Sequence, residues 1–203
     1  MQVIVIGAGI WGLACAYACA RRGDAVTVYD AGRVGDGASG GIVGALAPHV
    51  PDQWNPKKQF QFEALDTADL FWSKADALSG IPSGYGRIGR LQPLLSKKAV
   101  ELAEARGTSA KDLWQGRYHW QIEPRPDTMS DTAAPYGVVQ DTLAGRIHPL
   151  QGTLSLAGAC RAKGVQIHEK YPIHSLADNQ VSGPWGDANA DAIIVAAGVA
   201  GFD

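Results

Sequence analysis

Residues 3–30, VIVIGAGIWGLACAYACARRGDAVTVYD, decide the fold of this chain. The run from Gln2 to Ile6 is apolar and β-branched, which predicts a strand buried on both faces. The segment Leu13–Arg22 is rich in alanine and predicts a buried helix that ends at Gly23. A second apolar strand is predicted over Ala25–Tyr29. The order strand, helix, strand predicts an α/β fold with a parallel sheet.

Three glycines, Gly7, Gly9 and Gly12, join the first strand to the helix as G-x-G-x-x-G. The first permits a tight turn, the second lets a pyrophosphate approach the backbone, and the third lets helix and strand pack closely. The helix N-terminus offers N–H groups and a partial positive charge to the phosphates. Asp30 ends the second strand, where a carboxylate can accept both hydroxyls of a ribose. A glycine turn that serves packing alone does not explain Asp30, so we predict a dinucleotide site.

Residues 31–50, AGRVGDGASGGIVGALAPHV, indicate which dinucleotide is bound. A simple NAD domain would continue with a helix and a third parallel strand. Here a loop of small residues follows, whose N–H groups are free to lie against a flat polar ligand. The loop favours FAD over NAD, and an NAD-dependent dehydrogenase stays open as the alternative. An acid at position 30, instead of Arg or Lys, also disfavours the 2′-phosphate of NADP.

Together, GAGIWG, VYDAGRVGDGASGGIVGALAPHV and the late ADAIIVAAGVAGFD resemble the FAD-dependent amino-acid oxidases. That family includes the glycine oxidase of thiamine biosynthesis, D-amino acid oxidases and dehydrogenases, and sarcosine oxidase. The resemblance implies a Rossmann-like FAD-binding domain with an inserted small α+β substrate domain. It also implies oxidation of the C–N bond of an amino acid or related amine by hydride transfer to flavin. The imine product would hydrolyse to an oxo acid, and O2 or another acceptor would reoxidise the flavin.

The resemblance assigns roles to matching positions. It implies pyrophosphate contacts from Gly7, Gly9, Ile10, Trp11 and Gly12, and a ribose contact from Asp30 with Ala31 beside it. The residues implied to run past the flavin are Ala38, Ser39, Gly41, Ile42, Val43, Gly44 and Ala45, and the Ser39 hydroxyl could also reach a phosphate. The backbone of Ile173 is implied to meet the adenine, and the second strand-end turn at the cofactor is Ala196, Ala197 and Gly198. Two positions depart from the family: it more often has Glu at position 30, and Trp11 is bulkier than the usual aliphatic residue, so packing alone is its other interpretation.

The predicted FAD-binding domain is discontinuous. We expect its two parts at residues 1–82 and 148–203, with a partial substrate domain at 83–147 between them. One long amphipathic helix is predicted over Lys58–Leu78, and later strands such as VQIHE and DAIIVAAG should join the first sheet. The family's polypeptide is considerably longer, so we expect the C-terminal part to be missing. A truncated, non-catalytic nucleotide-binding fragment is therefore a further alternative.

No residue is predicted to be catalytic. None of the five histidines adjoins a Ser or Cys in a nucleophile motif, and His49 serves either the site or its own loop. Arg87 and Arg90 could bind a substrate carboxylate, although a surface position is the simpler interpretation. The three cysteines predict small buried apolar residues, no metal site and, with their low count, a reducing cytoplasm.

The expected partners are small molecules. They are an amino acid or amine substrate and O2 or another electron acceptor. A net charge of −2 gives no reason to expect nucleic acid, and no apolar run is long enough to span a membrane. A homo-oligomer is left open.

Overall fold

The computed structural model describes residues 1–202, and for Ala200 and Phe202 the backbone only. Its elements are, in chain order, β1 (Gln2–Ile6), α1 (Ile10–Arg21), β2 (Ala25–Asp30), β3 (Gly44–Leu46), α2 (Pro56–Asp66), α3 (Ala68–Ser79), β4 (Arg90–Pro93), α4 (Lys97–Leu113), β5 (Trp120–Glu123), β6 (Val138–Asp141), β7 (Gly145–Ile147), α5 (Pro149–Ala162), β8 (Gln166–Glu169), β9 (Ser175–Ala177), β10 (Gln180–Gly183), β11 (Gly186–Asn189) and β12 (Ala192–Val195). Short 3-10 turns occupy Ala38–Gly40 and Gly198–Phe202. The chain divides into two compact units, the first at 1–44, 71–85 and 147–203 and the second at 45–70 and 86–146.

The first unit is built on a four-stranded parallel sheet with the order β12-β1-β2-β8. Helices α1 and α5 pack against each other in this unit, and their facing residues are small. Ala16 of α1 and Ala157 and Cys160 of α5 are fully buried, because small side chains let two helices approach closely. The predicted α/β class with a parallel sheet is confirmed.

A second sheet in the first unit was not predicted. Strands β9, β10 and β11 form an antiparallel meander, and Val181 of β10 packs with Ile4 and Tyr29. Two hairpins this short carry little hydrophobic periodicity, so the sequence pattern gave no signal for them.

The second unit has a three-stranded antiparallel sheet with the order β4-β6-β5. Its core contains Phe62, Leu65, Trp114, Trp120 and Leu143. Because Phe62 and Leu65 of α2 belong to this core, residues 45–70 lie in the second unit. The predicted boundaries had placed that segment in the first part of the FAD-binding domain.

The single helix predicted over Lys58–Leu78 is wrong, since α2 ends at Asp66 and α3 begins at Ala68. Thr67 lies between them, and its hydroxyl donates to the carbonyl of Glu63 at 2.8 Å. Such back-bonding by threonine competes with the helical hydrogen bonds and favours a bend.

Candidate functional site

The four strands of the parallel sheet end at one edge of the first unit. Ile6 lies opposite Tyr29 and Val195, and Asp30 lies opposite Glu169. A cleft of about 350 Å³ opens at this edge, lined only by residues of the first unit. Strand β1 has β2 on one side and β12 on the other, so the strand order reverses beside it. Open α/β sheets bind ligands at such a switch point, outside the carboxyl ends of the strands.

The glycine turn after β1 is too tight for side chains at two positions. Gly7 has φ +110°, and a Cβ on it would lie 2.4 Å from the carbonyl oxygen of Ala196. A Cβ on Gly12 would lie 1.9 Å from the carbonyl oxygen of Gly7. A Cβ on Gly9 would meet only the Ser39 side chain, at 3.1 Å from its Oγ. Gly7 and Gly12 are therefore required by the fold, whereas Gly9 keeps the cleft side of the turn bare.

Asp30 holds this turn from the neighbouring strand. Its Oδ2 accepts the backbone N–H of Ala8 at 2.6 Å, and its Oδ1 accepts the N–H of Gly32 at 2.7 Å. A carboxylate has about four lone-pair sites, so each oxygen can accept another hydrogen bond. The geometry leaves Asp30 able to receive ribose hydroxyls while it fixes both loops.

The N-terminus of α1 faces the same cleft. Its N-cap, Gly9, has no side chain to bond the free N–H groups of the first turn. Ser39 accepts the N–H of Ile10 at 2.9 Å, and its own carbonyl accepts the hydroxyl of Thr153 at 3.3 Å. The small-residue loop is thus attached to both the glycine turn and α5.

The loop that follows β2 is fixed to the end of β8. Val34 donates its N–H to Glu169 Oε1 at 2.8 Å, and Lys170 donates to the carbonyl of Gly32 at 2.8 Å. Beside it, Tyr29 stacks between His168 at 5.1 Å and Trp185 at 4.6 Å between ring centroids. Burial, followed by the charge of the neighbouring Tyr171, raises the pKa of Tyr29. Tyr29 therefore stays a neutral wall of the cleft.

The cleft brings together most of the residues predicted from the sequence. Those lining it are Gly7, Gly9, Ile10, Trp11, Asp30, Ala31, Ala38, Ser39, Ile173, Ala196, Ala197 and Gly198. The predicted residues outside its lining are Gly12, Gly41, Ile42, Val43, Gly44 and Ala45. For each of them, contact with a cofactor stays a prediction.

Seven lining residues were not predicted. They are Ile6, Tyr29, Arg33, Gly35, Asp36, Gly37 and Tyr171. The sequence did offer a signal for Arg33 and Asp36, because two charged residues stand out in a loop of small residues and suggest contact with a polar ligand. Tyr171 carried no signal, since its position depends on the unpredicted turn after β8.

Three large apolar side chains near the glycine turn and loop are exposed. Trp11 is 78% exposed, Ile42 92% and Val43 79%. Core packing is therefore excluded for Trp11 within the described residues. These side chains present apolar surface to whatever binds there.

The arginines considered for a substrate carboxylate are both engaged within the second unit. The Nε of Arg87 donates to Asp69 at 2.7 Å and its Nη1 to the carbonyl of Leu143 at 2.9 Å. Arg90 donates to Asp141 at 2.8 Å, a carboxylate that is fully buried. Both arginines are partly exposed, and their guanidiniums cross-link elements of the fold. His49 donates its backbone N–H to Gln61 at 2.6 Å, which serves its loop.

Two further features are absent from residues 1–202. No group of three or more His, Cys, Asp or Glu side chains there could hold a metal ion. Within the same range, no helix combines the length and apolarity needed to cross a membrane.

Comparison with known families decides the class of the protein. Residues 2–201 match DAO, a family of FAD-dependent oxidoreductases. The chain belongs to this family. The DAO assignment favours FAD over the NAD alternative, as the loop after Asp30 predicted.

Known relatives of this DAO chain are longer. The probable oxidoreductase OrdL of Haemophilus influenzae is 28% identical over 190 residues, which cover 87% of this chain and 43% of that protein. The crystal structure of glycine oxidase from Geobacillus kaustophilus superposes with a TM-score of 0.77 at 19% identity, covering 97% of this chain and 55% of the oxidase. L-amino acid deaminase from Proteus myxofaciens gives a TM-score of 0.78 at 22% identity, with coverages of 97% and 45%. The chain thus spans about half the length of the proteins it matches.

The DAO cofactor fits the residues present at the cleft. The glycine turn is a cradle that a side chain would fill, the helix terminus offers N–H donors, and Asp30 offers acceptors. FAD carries a diphosphate and a ribose, and the chemistry of both matches the groups at the cleft.

Proposed function

We propose that this chain binds FAD in the cleft and oxidises the C–N bond of an amino acid or related amine. One observation carries the proposal: the glycine turn, the N-terminus of α1 and the Asp30 carboxylate converge on one sheet edge. That combination binds the diphosphate and the ribose of a dinucleotide.

The proposed role of each residue follows from its donor or acceptor groups. The N–H groups of the first turn of α1 would hold the diphosphate, and Gly9 would let it approach. Asp30 would accept the ribose hydroxyls, and the backbone of Ile173, which lines the cleft, would meet the adenine. The loop Ala38–Ala45 would run along the flavin, where the apolar Ile42 and Val43 would exclude water from the ring.

When bound, FAD supplies the redox chemistry, since its flavin accepts a hydride from the α-carbon of an amine. The residues of this chain contribute binding and orientation. None of them is assigned a proton transfer.

Two findings support an amino acid or amine as substrate. Solved structures that share the fold include a glycine oxidase and an L-amino acid deaminase, and the quoted motifs resemble amino-acid oxidases. O2 or another acceptor would take the electrons. We also propose a cytoplasmic location, from the low cysteine count, which cell fractionation would test.

FAD binding is tested first. The purified chain, incubated with FAD and freed of excess by gel filtration, should retain flavin absorbance with bands near roughly 370 and 450 nm, as the cofactor class gives. Titration of intrinsic fluorescence with FAD and with NAD measures both affinities. A protein that stays colourless and binds NAD would overturn the FAD assignment.

Turnover is tested separately on the loaded protein. Oxygen uptake and dye reduction are followed with glycine, sarcosine and a panel of D-amino acids. Turnover of any of them supports the proposed reaction. FAD binding without turnover of these substrates supports the alternative, a nucleotide-binding fragment that does not catalyse.

A further inference from the structure

Arg33 is the only cationic residue among the described residues that line the cleft. The anionic side chains of the lining are Asp30 and Asp36. Arg33 is exposed, and among residues 1–202 its guanidinium forms none of the salt bridges. By contrast, Arg87 and Arg90 are each bound to a carboxylate. The cleft therefore carries one unpaired guanidinium.

The backbone of Arg33 is fixed although its side chain is free. Its N–H donates to Asp36 Oδ2 at 2.8 Å, and its carbonyl accepts the N–H of Asp36 at 3.1 Å. The next N–H, of Val34, donates to Glu169 at 2.8 Å. One carboxylate oxygen of Asp36 is thus hydrogen-bonded to the backbone of Arg33, and this turn fixes the position of the arginine in the lining of the cleft.

A dinucleotide would need a positive charge in the cleft to offset the negative charges that meet there. Two carboxylates and one guanidinium leave its lining formally negative, whereas a dinucleotide brings two further negative charges on its diphosphate. The helix N-terminus offers only about half an elementary charge. A guanidinium matches phosphate geometry with two parallel hydrogen bonds, and it is always protonated.

We propose that the Arg33 guanidinium binds the diphosphate of the nucleotide and gives the cleft its preference for a phosphorylated ligand over a nucleoside. The inference rests on the proposed function, since it places Arg33 in the same FAD site. Part of the affinity for the nucleotide would then come from a side chain that lies outside the glycine motif.

The experiment compares Arg33→Gln and Arg33→Lys with a control, Arg22→Gln. The control makes the same chemical change at the C-terminal end of α1, whereas the N-terminal end of that helix faces the cleft. Dissociation constants are measured for FAD, ADP and adenosine by titration calorimetry, and thermal melts check folding. Hydrogen bonds to charged groups contribute about 1.5–3 kcal/mol, so Arg33→Gln should weaken FAD and ADP by about 10- to 100-fold. The affinity of Arg33→Gln for adenosine should differ from that of the wild type by less than about twofold. The affinity of Arg33→Lys for FAD and ADP should lie between those of the wild type and Arg33→Gln, and Arg22→Gln should bind all three ligands as the wild type does.

Salt gives an independent readout. The wild-type affinity for ADP should fall more steeply with ionic strength than that of Arg33→Gln, because a charge contact to phosphate is screened. Equal affinity of wild type and Arg33→Gln for ADP would overturn the inference, as would an equal loss for adenosine. Wild-type protein that binds neither FAD nor ADP would instead overturn the proposed function itself.

Discussion

The carboxylate of Asp30 accepts the backbone N–H of Ala8 at 2.6 Å, and so the end of β2 fixes the turn that follows β1. The acid is thereby part of the turn's architecture as well as a candidate ribose ligand. Its second oxygen, bound to Gly32, fixes the loop on the other side. Both loops should be perturbed together when the carboxylate is removed.

Asp30→Ala should therefore lower stability and FAD affinity at once. Loss of the carboxylate leaves two part-buried N–H groups, those of Ala8 and Gly32, without their acceptor, and each costs about 1–3 kcal/mol. Chemical denaturation measures the stability loss, and FAD titration at a temperature where the variant is folded measures the affinity. The control is Asp187→Asn at an exposed position of β11. A variant with unchanged stability would show that the hydrogen bonds from Ala8 and Gly32 to Asp30 do not stabilise the fold.

Gly12 and Gly9 should respond differently to the same methyl group. Gly12→Ala forces a Cβ to 1.9 Å from a backbone carbonyl, so we expect a loss above about 4 kcal/mol or an insoluble protein. Gly9→Ala meets only the Ser39 side chain, so it should fold and bind FAD more weakly. Thermal melts and FAD titrations separate the two effects. Gly86→Ala, whose Cβ would lie 3.6 Å from Ile88, is the control, and a Gly12→Ala protein with a wild-type melting temperature would contradict the prediction.

Asp52 should stabilise the second unit in a pH-dependent way. Burial tends to raise the pKa of Asp52, but hydrogen bonds and charges from Arg106 and Lys58 outweigh it and lower the pKa below its ordinary value of 3.8. The folded-state pKa is thus below the unfolded one. Its stabilisation is fully present above the unfolded pKa and is lost as the pH falls through the folded pKa.

Denaturation of the wild type and Asp52→Asn at several pH values tests this. The difference in unfolding free energy should be constant from pH 7 down to about pH 5 and shrink below about pH 4. Asp112→Asn, at an exposed position of α4, should show no such trend. A difference that is the same at pH 3 as at pH 7 would refute the assignment.

Cys160 should be inert in the folded protein. Burial raises the pKa of its thiol to about 12, and its Sγ donates to the carbonyl of Leu13 at 3.4 Å. At pH 8 its thiolate fraction is then on the order of 10⁻⁴. A thiol reagent followed by peptide mass spectrometry should modify the partly exposed Cys15 first and Cys160 only on unfolding. Cys160→Ala should leave the native labelling rate unchanged; rapid native modification of Cys160 would disprove the prediction.

Local sequence patterns predicted the parallel sheet well. The β1–α1–β2 unit, α5 and the late strands were predictable because each combines a clear apolar period with a glycine or proline at its end. The break at Thr67 and the strands β5 and β9–β11 were not, since they depend on one threonine hydroxyl and on contacts far along the chain.

The candidate site was predictable only where backbone chemistry defines it. Glycines and a strand-end acid mark the diphosphate and ribose positions directly in the sequence. Tyr171 and Arg33 reach the cleft through the folding of the loops after β8 and β2, which no local period describes. The engagement of Arg87 and Arg90 was equally hidden, because their carboxylate partners Asp69 and Asp141 are distant in sequence.

The pairing of β1 with β12 has a consequence for biosynthesis. Val3 lies opposite Ala192, so almost the whole 203-residue chain separates two neighbouring strands. At a translation rate of about 5–20 residues per second, β1 waits roughly 10–40 s for that partner. During this interval one edge of the nascent sheet is unpaired and can capture a foreign strand. Such a long-range pairing raises the contact order and slows folding.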